Sequence, residues 1–255
     1  MFKQVFKAEN TKLKRSFLLY MHLIILLAFP ILLGLYYGSR KLSVTSTTMM
    51  IIFYEILAMT SPIIISIVIC LVFDREEKAG NFKNWLTEPY SKAKAIQSQL
   101  SYYWLWYLIE IIATTLIYYL ILVGLYHITG ISFLKMIVTS IVFSLCGLVQ
   151  YELTQTVALK WSIGGSLIMG FLGTIISLLS ITSLLDFIWP VIPWAWQIRL
   201  ITFWQSNISL GLIKLTALEY ICPFIMTILI IILCRKYFNN WQEKSRPKTI
   251  YLNFD

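Results

Sequence analysis

Two long apolar segments of the chain are separated by DREEKAGNFKNWLTEPYSKAKAIQSQL, residues 74–100, the longest strongly polar run between apolar segments. Apolar segments of this length cross a bilayer as helices, so the polar run is predicted to be a loop in water. Within it, Phe82, Trp85 and Leu86 recur at i, i+3 and i+4, the spacing of one helical face. The apolar face of this short helix needs a cover, which is the membrane surface, the protein's own span ends or a soluble partner.

The composition of the whole chain indicates a membrane protein. Hydrophobic residues make up 58% of the 255 residues and charged residues 13%, and the mean hydropathy is +0.76, far above the values of ordinary globular proteins. We therefore predict an all-α polytopic membrane protein. The net charge of +9 does not point to nucleic acid, because most basic residues flank apolar segments, as membrane topology requires.

Hydropathy predicts six transmembrane helices. Their approximate ranges are 17–37, 47–73, 101–126, 134–157, 162–185 and 212–234, with a tight turn at Lys160 and Trp161 between the fourth and the fifth. With this topology, sixteen lysines and arginines lie on the side of the N-terminus and five on the other. Basic residues are enriched on the cytoplasmic side, so both termini are predicted to be cytoplasmic, including the polar tail 235–255.

The N-terminal residues 1–16 precede the first span and have an amphipathic pattern. Four apolar residues fall on one side of a helix, whereas most of the lysines fall on another; the apolar residues are Phe2, Val5, Phe6 and Leu13. This pattern predicts an interfacial helix that lies on membrane lipid. A basic tail without structure is the alternative.

A second unusual segment, residues 186–208, precedes the sixth span. It is apolar and aromatic, but Pro190 and Pro193 interrupt any continuous helix, and its tryptophans favour the membrane interface. We predict a re-entrant segment of short helices on the outer face of the membrane. An ordinary hydrophobic external loop is the alternative.

Three carboxyl groups are predicted to lie at membrane depth: Glu55, Glu110 and Glu152. Burying an acid in lipid is costly, so each is expected to face a partner or water. One hypothesis is a proton relay, which would make the chain a stand-alone proton-coupled carrier or channel that uses Glu55 and Glu110. The simpler hypothesis is that these side chains hold helices together by hydrogen bonds.

The fifth predicted span carries small residues at spacings of three and four, notably Gly170 and Gly173. Such residues let helix backbones approach closely, so this span is predicted to pack tightly against another helix or a second subunit.

Signatures of enzymes are missing from the sequence. It has no GxSxG, HExxH or P-loop motif, and its four cysteines and two histidines show no metal-binding or disulfide pattern. We therefore predict a protein that is not an enzyme and has no metal or cofactor of its own. Any work driven by ATP would need a partner.

These features together resemble the permease subunits of type-2 ABC exporters. In that family the loop after the second span typically has a Glu-rich start, a glycine, a Leu-Thr pair or similar, a proline and a basic residue. The matching positions here are Glu76, Glu77, Gly80, Leu86, Thr87, Pro89 and Lys92. The strings EEKAGNFKNWLT and PYSKAKAIQSQL resemble, more closely, the lantibiotic-immunity permeases of Gram-positive bacteria.

The resemblance implies a single permease domain, residues 1–255, in the bacterial cell membrane. Such permeases expel a cationic antimicrobial peptide and act with a second permease and a separate ATPase, which binds the ATP and Mg. Residues 1–16 would form an elbow helix, and residues 74–100 would be the cytoplasmic coupling loop. The residues implied to couple to the ATPase are Glu76, Glu77, Gly80, Phe82, Trp85, Leu86 and Pro89. The tryptophans placed to touch the peptide are Trp189, Trp194, Trp196 and Trp204.

Overall fold

The computed structural model describes residues 2–14, 16–86, 91–205 and 213–242, with only the backbone described for residues 84, 200–205 and 213–220. This part of the chain is helical and contains no strand, which confirms the all-α class. In chain order the helices are α1 (Phe2–Leu13), α2 (Phe17–Ser39), α3 (Ser46–Lys78), α4 (Lys83–Leu86), α5 (Lys92–Tyr119), α6 (Phe133–Leu179), α7 (Pro193–Gln205) and α8 (Ile213–Asn240). A π-helical turn, Leu120–Leu125, extends α5, and 3-10 turns at Ser183–Leu185 and Trp189–Val191 precede α7.

Five helical stretches in the described residues are long and apolar enough to cross a membrane. They are Phe17–Ser39, Ser46–Lys78, Lys92–Leu125, Phe133–Leu179 and Ile221–Asn240. The shortest of them, Ile221–Asn240, has 20 residues, a helix of about 30 Å, which matches the hydrocarbon thickness of about 30 Å. The protein is therefore a multi-pass membrane protein.

The longest helix, α6, has 47 residues and is broken at Ser162, where φ is 64° and ψ is −166°. A residue other than glycine rarely adopts a positive φ, and it cannot continue a right-handed helix there. The break lies directly after Lys160 and Trp161, where a tight turn was predicted. Two helical segments, 133–161 and 163–179, therefore stand where hydropathy predicted the fourth and the fifth span.

The two segments of α6 run in opposite directions along α3, which is the most buried of the five long stretches. In the first segment, Met136 accepts a hydrogen bond at its carbonyl from the Tyr54 hydroxyl, 2.7 Å away, near the start of α3. In the second segment, the Ile163 carbonyl accepts from Cys70 at 3.5 Å. Three residues further along this segment, the Ser166 carbonyl accepts from Ser66 at 2.6 Å. Since Ser66 precedes Cys70 on α3, the second segment runs back towards the start of α3. The chain therefore turns back on itself at Ser162.

Small residues permit the close contact between the second segment and α3. Gly170 lies against Ser66, and Gly173 lies against Pro62 and Trp194. A Cβ atom on either glycine would overlap with these neighbours. The prediction that this segment packs tightly through its glycines is confirmed, and the partner is a helix of the same chain.

The described residues after α6, up to residue 199, fold back into the bundle. The Trp194 carbonyl accepts a hydrogen bond from Ser177 at 2.9 Å, and the Gln197 amide donates to the Phe143 carbonyl at 3.1 Å. Trp189 and Trp196 pack with Val149, which is in the middle of the first segment of α6. Two 3-10 turns and α7 thus replace a continuous helix, as the prolines predicted.

Four parts of the chain meet at one end of the bundle: α1, the loop between α3 and α5, the turn at Ser162 and the end of α8. Lys12 of α1 forms an ion pair with Glu76 at the end of α3, 2.7 Å away. The Trp241 indole, just after α8, donates to the Leu159 carbonyl at 3.1 Å. These are the segments that carry most of the basic residues, as the topology prediction requires. The residues after Ser91 form the start of α5, which continues directly into the next long apolar stretch.

Candidate functional site

Two carboxylates are buried where α1 meets the loop between α3 and α5. Glu9 of α1 is 2% exposed and Glu76, near the end of α3, is 1% exposed. Buried carboxylates need partners, because their transfer out of water is costly. The partners come from three helices and form what we call the polar cluster: Glu9, Lys12, Arg75, Glu76, Gln99 and Tyr103.

Glu9 is the centre of the polar cluster. Its Oε2 accepts hydrogen bonds from Arg75 at 2.6 Å and from the Tyr103 hydroxyl at 2.7 Å. Its Oε1 accepts from Lys12 at 2.8 Å and from the Gln99 amide at 3.0 Å. Four donors from α1, α3 and α5 therefore converge on one carboxylate, which holds α1 in place on the bundle.

The second carboxylate of the polar cluster extends the network towards the loop. Glu76 Oε1 accepts from Lys12 at 2.7 Å and from the Gln99 amide at 3.0 Å. The Gln99 oxygen in turn accepts from the Trp85 indole at 2.9 Å. Two carboxylates face two cations, so the polar cluster is balanced in charge, and hydrogen bonds connect it directly to α4.

An aromatic cluster covers the apolar side of the loop, and it consists of Phe73, Phe82, Trp85 and Trp241. The Phe82 ring stacks on Trp85 with 5.2 Å between centroids and packs on Phe73 at 4.8 Å. Trp241, which follows α8, lies edge-on to Phe82 at 5.4 Å. Phe82 is 4% and Trp85 3% exposed. The membrane surface, the protein's own span ends and a soluble partner were the three possible covers for this apolar face. In the structure, the ends of the protein's own helices cover it.

The tip of the loop, residues 77–83, is held in a strained conformation. Three consecutive residues have a positive φ: 134° at Gly80, 52° at Asn81 and 58° at Phe82. Glycine and asparagine tolerate this region, whereas a phenylalanine there costs about 1–2 kcal/mol. Burial of the ring contributes about 1.5–3 kcal/mol, which offsets the strain. The packing of Phe82 therefore sets the direction in which the tip leaves the bundle.

The residues that were predicted to couple to an ATPase thus divide into two groups. Glu76, Phe82 and Trp85 are buried inside the protein, and Leu86 is half-buried. Glu77 is partly exposed and Gly80 is exposed at the tip. Pro89 lies outside the described residues. Contact with an ATPase stays a prediction for these residues, but the two rings cannot supply it without leaving the aromatic cluster.

Of the three acids predicted at membrane depth, Glu110 and Glu152 are buried and Glu55 is half-buried. Glu110 Oε2 makes a hydrogen bond of 2.6 Å with Nδ1 of His22 on α2. Glu152 accepts a long hydrogen bond, 3.4 Å, from Gln97. The His22 pair joins α2 to α5, as expected of an acid that holds helices together. A role in proton transfer stays a prediction.

The tryptophans that were predicted to touch the substrate lie mostly inside the bundle. Trp189 is 6% and Trp196 1% exposed, and the Trp196 indole donates to the Pro190 carbonyl at 3.0 Å. Trp194 is half-buried over Gly173, and the side chain of Trp204 lies outside the described residues. Substrate contact stays a prediction for all four.

Sequence reasoning missed the partners that complete the site: Glu9, Lys12, Arg75, Gln99, Tyr103 and Trp241. One signal was present, because Phe6, Glu9 and Leu13 recur at i, i+3 and i+7 and so place Glu9 on the apolar side of α1. His22 was also missed, because its partner Glu110 is 88 residues away in the chain. Among the described residues, no group of three or more His, Cys, Asp or Glu could hold a metal ion.

The chain is thus a bundle of apolar helices in which a helix and a loop are tied together at one end. A family model described as "ABC-2 family transporter protein" matches residues 5–240, and the chain belongs to this family. It is therefore an ABC transporter permease, and membership implies an ATP-binding partner subunit. No curated protein and no solved structure matches the chain.

Proposed function

We propose that this chain is the permease subunit of an exporter that expels an antimicrobial peptide, a lantibiotic or bacteriocin, from the membrane of a Gram-positive bacterium. The export would give the cell self-immunity or resistance. The observation that carries the proposal is the loop between α3 and α5, whose base is built into the bundle and whose tip is exposed. ATP hydrolysis on a separate subunit, which holds the ATP and Mg, moves this tip.

We propose that the chain crosses the membrane six times. The opposite directions of segments 133–161 and 163–179 along α3 support two crossings within α6. The other four crossings are α2, α3, α5 and α8, so both termini lie on one side. The abundance of basic residues at that end supports a cytoplasmic location. In this arrangement α1 is the elbow helix at the membrane surface, and residues 186–199 enter the bundle from the outer side.

The ATPase contact in this proposal is the exposed surface of the tip. Its exposed residues are Lys78, Ala79, Gly80, Asn81 and Lys83. Phe82 and Trp85 anchor the tip from inside, so in this proposal their rings act on the ATPase contact indirectly, by holding the tip in place. A force on the tip then reaches α1 through Trp85, Gln99 and the polar cluster, because hydrogen bonds connect these groups without a gap.

The cargo is proposed from the likeness of the loop to lantibiotic-immunity permeases, over EEKAGNFKNWLT and PYSKAKAIQSQL. A second, related permease completes the membrane part of the exporter. The segment containing Trp189 and Trp194 lies between the two segments of α6 and the last helix, so a movement of these helices would expose its indoles. We propose that these indoles then contact the cationic peptide on its way out.

The test is to solubilise the protein mildly from its native membrane and to identify what co-purifies by mass spectrometry. We expect an ATPase with a P-loop and a second permease. A variant with both tip lysines reversed, Lys78→Glu/Lys83→Glu, is expected to lose the ATPase and peptide resistance, because it changes the charge of the proposed contact surface by four units and so removes its complementarity with the partner.

The matched control is Lys160→Glu, which changes an exposed lysine at the same end of the bundle but outside the loop. It should retain the ATPase. Recovery of the permease alone, from membranes in which other complexes survive, would contradict the proposal. Transport that persists without an ATPase but stops in Glu110→Gln would favour the proton-coupled carrier instead.

A further inference from the structure

Trp241 is buried at the end of α8, in a segment for which the sequence predicted only a polar tail. It is 8% exposed, and it contacts three other parts of the chain through different groups. Its indole N–H donates to the Leu159 carbonyl at 3.1 Å, and its own carbonyl accepts from the Lys92 ammonium at 2.9 Å. Its ring packs on the aromatic cluster. One residue thus joins α8 to α6, α5 and the loop.

The contact with Leu159 satisfies a need created by the break in α6. The last carbonyls of a helix have no donor within the helix, and the first segment of α6 ends where Ser162 reverses the chain. Leu159 lies in that last turn, and the Trp241 indole supplies a donor for it. The end of α8 is therefore fixed to the turn between the two segments of α6.

The ring of Trp241 forms one wall around the strained tip. It lies edge-on to Phe82, 5.4 Å between centroids, and to Trp85 at 6.3 Å. Burial of the Phe82 ring offsets the backbone strain of its positive φ. Removal of the Trp241 ring would open the aromatic cluster on the side of α8, so that strain at Phe82 would favour release of the tip.

The other end of the loop is tied to the same place. The first residue in the helical part of α5, Lys92, donates to the Trp241 carbonyl. The next backbone N–H, that of Ala93, donates to the Asn239 side chain at 3.2 Å. Ser91, which precedes the helix, makes no side-chain capping bond, so Asn239 of α8 acts in its place. The end of α8 therefore contacts both ends of the loop.

We propose that Trp241 is a positioning residue that ties both ends of the coupling loop to α8 and to the turn at Ser162, so that the last helix moves with the loop. The inference rests on the proposed function of the loop, and it adds a second connection between the loop and the helices of the bundle. The polar cluster connects the loop to α1 and α5, and Trp241 connects it to α6 and α8.

The first measurement needs no ATPase. The full-length permease in detergent is treated with trypsin, and cleavage after Lys83 in the tip is compared with cleavage after Lys160 outside it. For Trp241→Ala we expect cleavage after Lys83 to become about tenfold faster, with cleavage after Lys160 unchanged, because local opening exposes only the loop. Trp241→Phe keeps most of the ring packing and should fall between. The control for cleavage after Lys83 is Trp161→Ala, which removes an indole that is 60% exposed and should leave that cleavage unchanged; cleavage after Lys160 is not compared in this variant, because Trp161 follows the cleaved bond.

The second measurement uses the whole transporter. Trp241→Ala should still co-purify with the ATPase but should hydrolyse ATP with little peptide export, whereas wild type couples the two. Unchanged cleavage after Lys83 in Trp241→Ala would overturn the inference, and so would equal acceleration after Lys83 and Lys160, which would indicate global unfolding. If the tip is released as expected but no ATPase binds even to wild type, the proposed function fails and the positioning role of Trp241 stands.

Discussion

Replacement of Glu9 by alanine tests whether the polar cluster holds α1 on the bundle. The carboxylate accepts four hydrogen bonds of 2.6 to 3.0 Å. The other carboxylate near its donors is that of Glu76. In Glu9→Ala, Arg75 keeps its hydrogen bond to the Tyr103 hydroxyl, at 2.8 Å, and a distant contact with Glu76, at 3.5 Å. The variant therefore leaves a partly buried cation without a carboxylate at close range.

The size of the effect follows from the burial of the groups. Removing one partner of a buried ion pair costs about 3–5 kcal/mol. The side chains of Lys12 and Arg75 are 30% and 22% exposed, so water screens part of the remaining charge and we expect the lower end, about 3 kcal/mol. In a chain of this size each kcal/mol lowers Tm by about 2–4 °C, so Tm should fall by about 6–12 °C.

The assay is thermal unfolding of the detergent-solubilised protein, followed by tryptophan fluorescence. Lys7→Ala is the control, because Lys7 is exposed on the same helix and its loss should leave Tm nearly unchanged. Glu9→Gln keeps the shape and some hydrogen bonds and should lie between. A Tm for Glu9→Ala within about 1 °C of the control would refute the idea that this cluster fastens α1, because each kcal/mol is worth at least twice that shift.

Two further predictions concern contacts within the membrane. Gly170→Ala would place a Cβ atom 2.3 Å from the Cβ of Ser66, so we expect the free energy of unfolding to fall by about 1–3 kcal/mol, measured as a lower Tm. The control is Gly164→Ala, where the new Cβ has nothing within 4 Å; it should be neutral or gain up to about 1 kcal/mol. Equal effects of the two substitutions would contradict the packing of this segment on α3. His22→Leu should destabilise the protein by about 1–3 kcal/mol because the buried Glu110 side chain loses its hydrogen-bond partner. The double variant His22→Leu/Glu110→Leu should recover most of that loss in the same thermal assay, and a double variant as unstable as the single one would show that the pair is not the cause.

The helices and their order were predictable because their signals are local. Hydropathy identified each apolar segment, and the spacing of Phe82, Trp85 and Leu86 identified the short helix in the loop. The break at Ser162 was predicted to within two residues from Lys160 and Trp161. A positive φ at a serine leaves no mark in the sequence, so the exact residue was not predictable.

The site was predictable only in part. The loop was recognised from its own residues, but the direction in which its rings point was not predictable. A helical face pattern shows that one side of the helix is covered, but it does not show what covers that side. Phe82 and Trp85 are covered by Trp241, which lies more than 150 residues away in the chain. The same holds for Glu110, whose partner His22 is on a different helix.

The sequence by itself determined that this chain is a bundle of membrane helices with a polar, amphipathic loop after the second one, because chain length, hydropathy and helical periodicity are set by neighbouring residues. Only the tertiary structure decided that Glu9, Arg75 and Glu76 share one buried network and that Trp241 closes the loop from the other side. Such contacts depend on which helix ends arrive at the same place, and that follows from the packing of the whole bundle on α3.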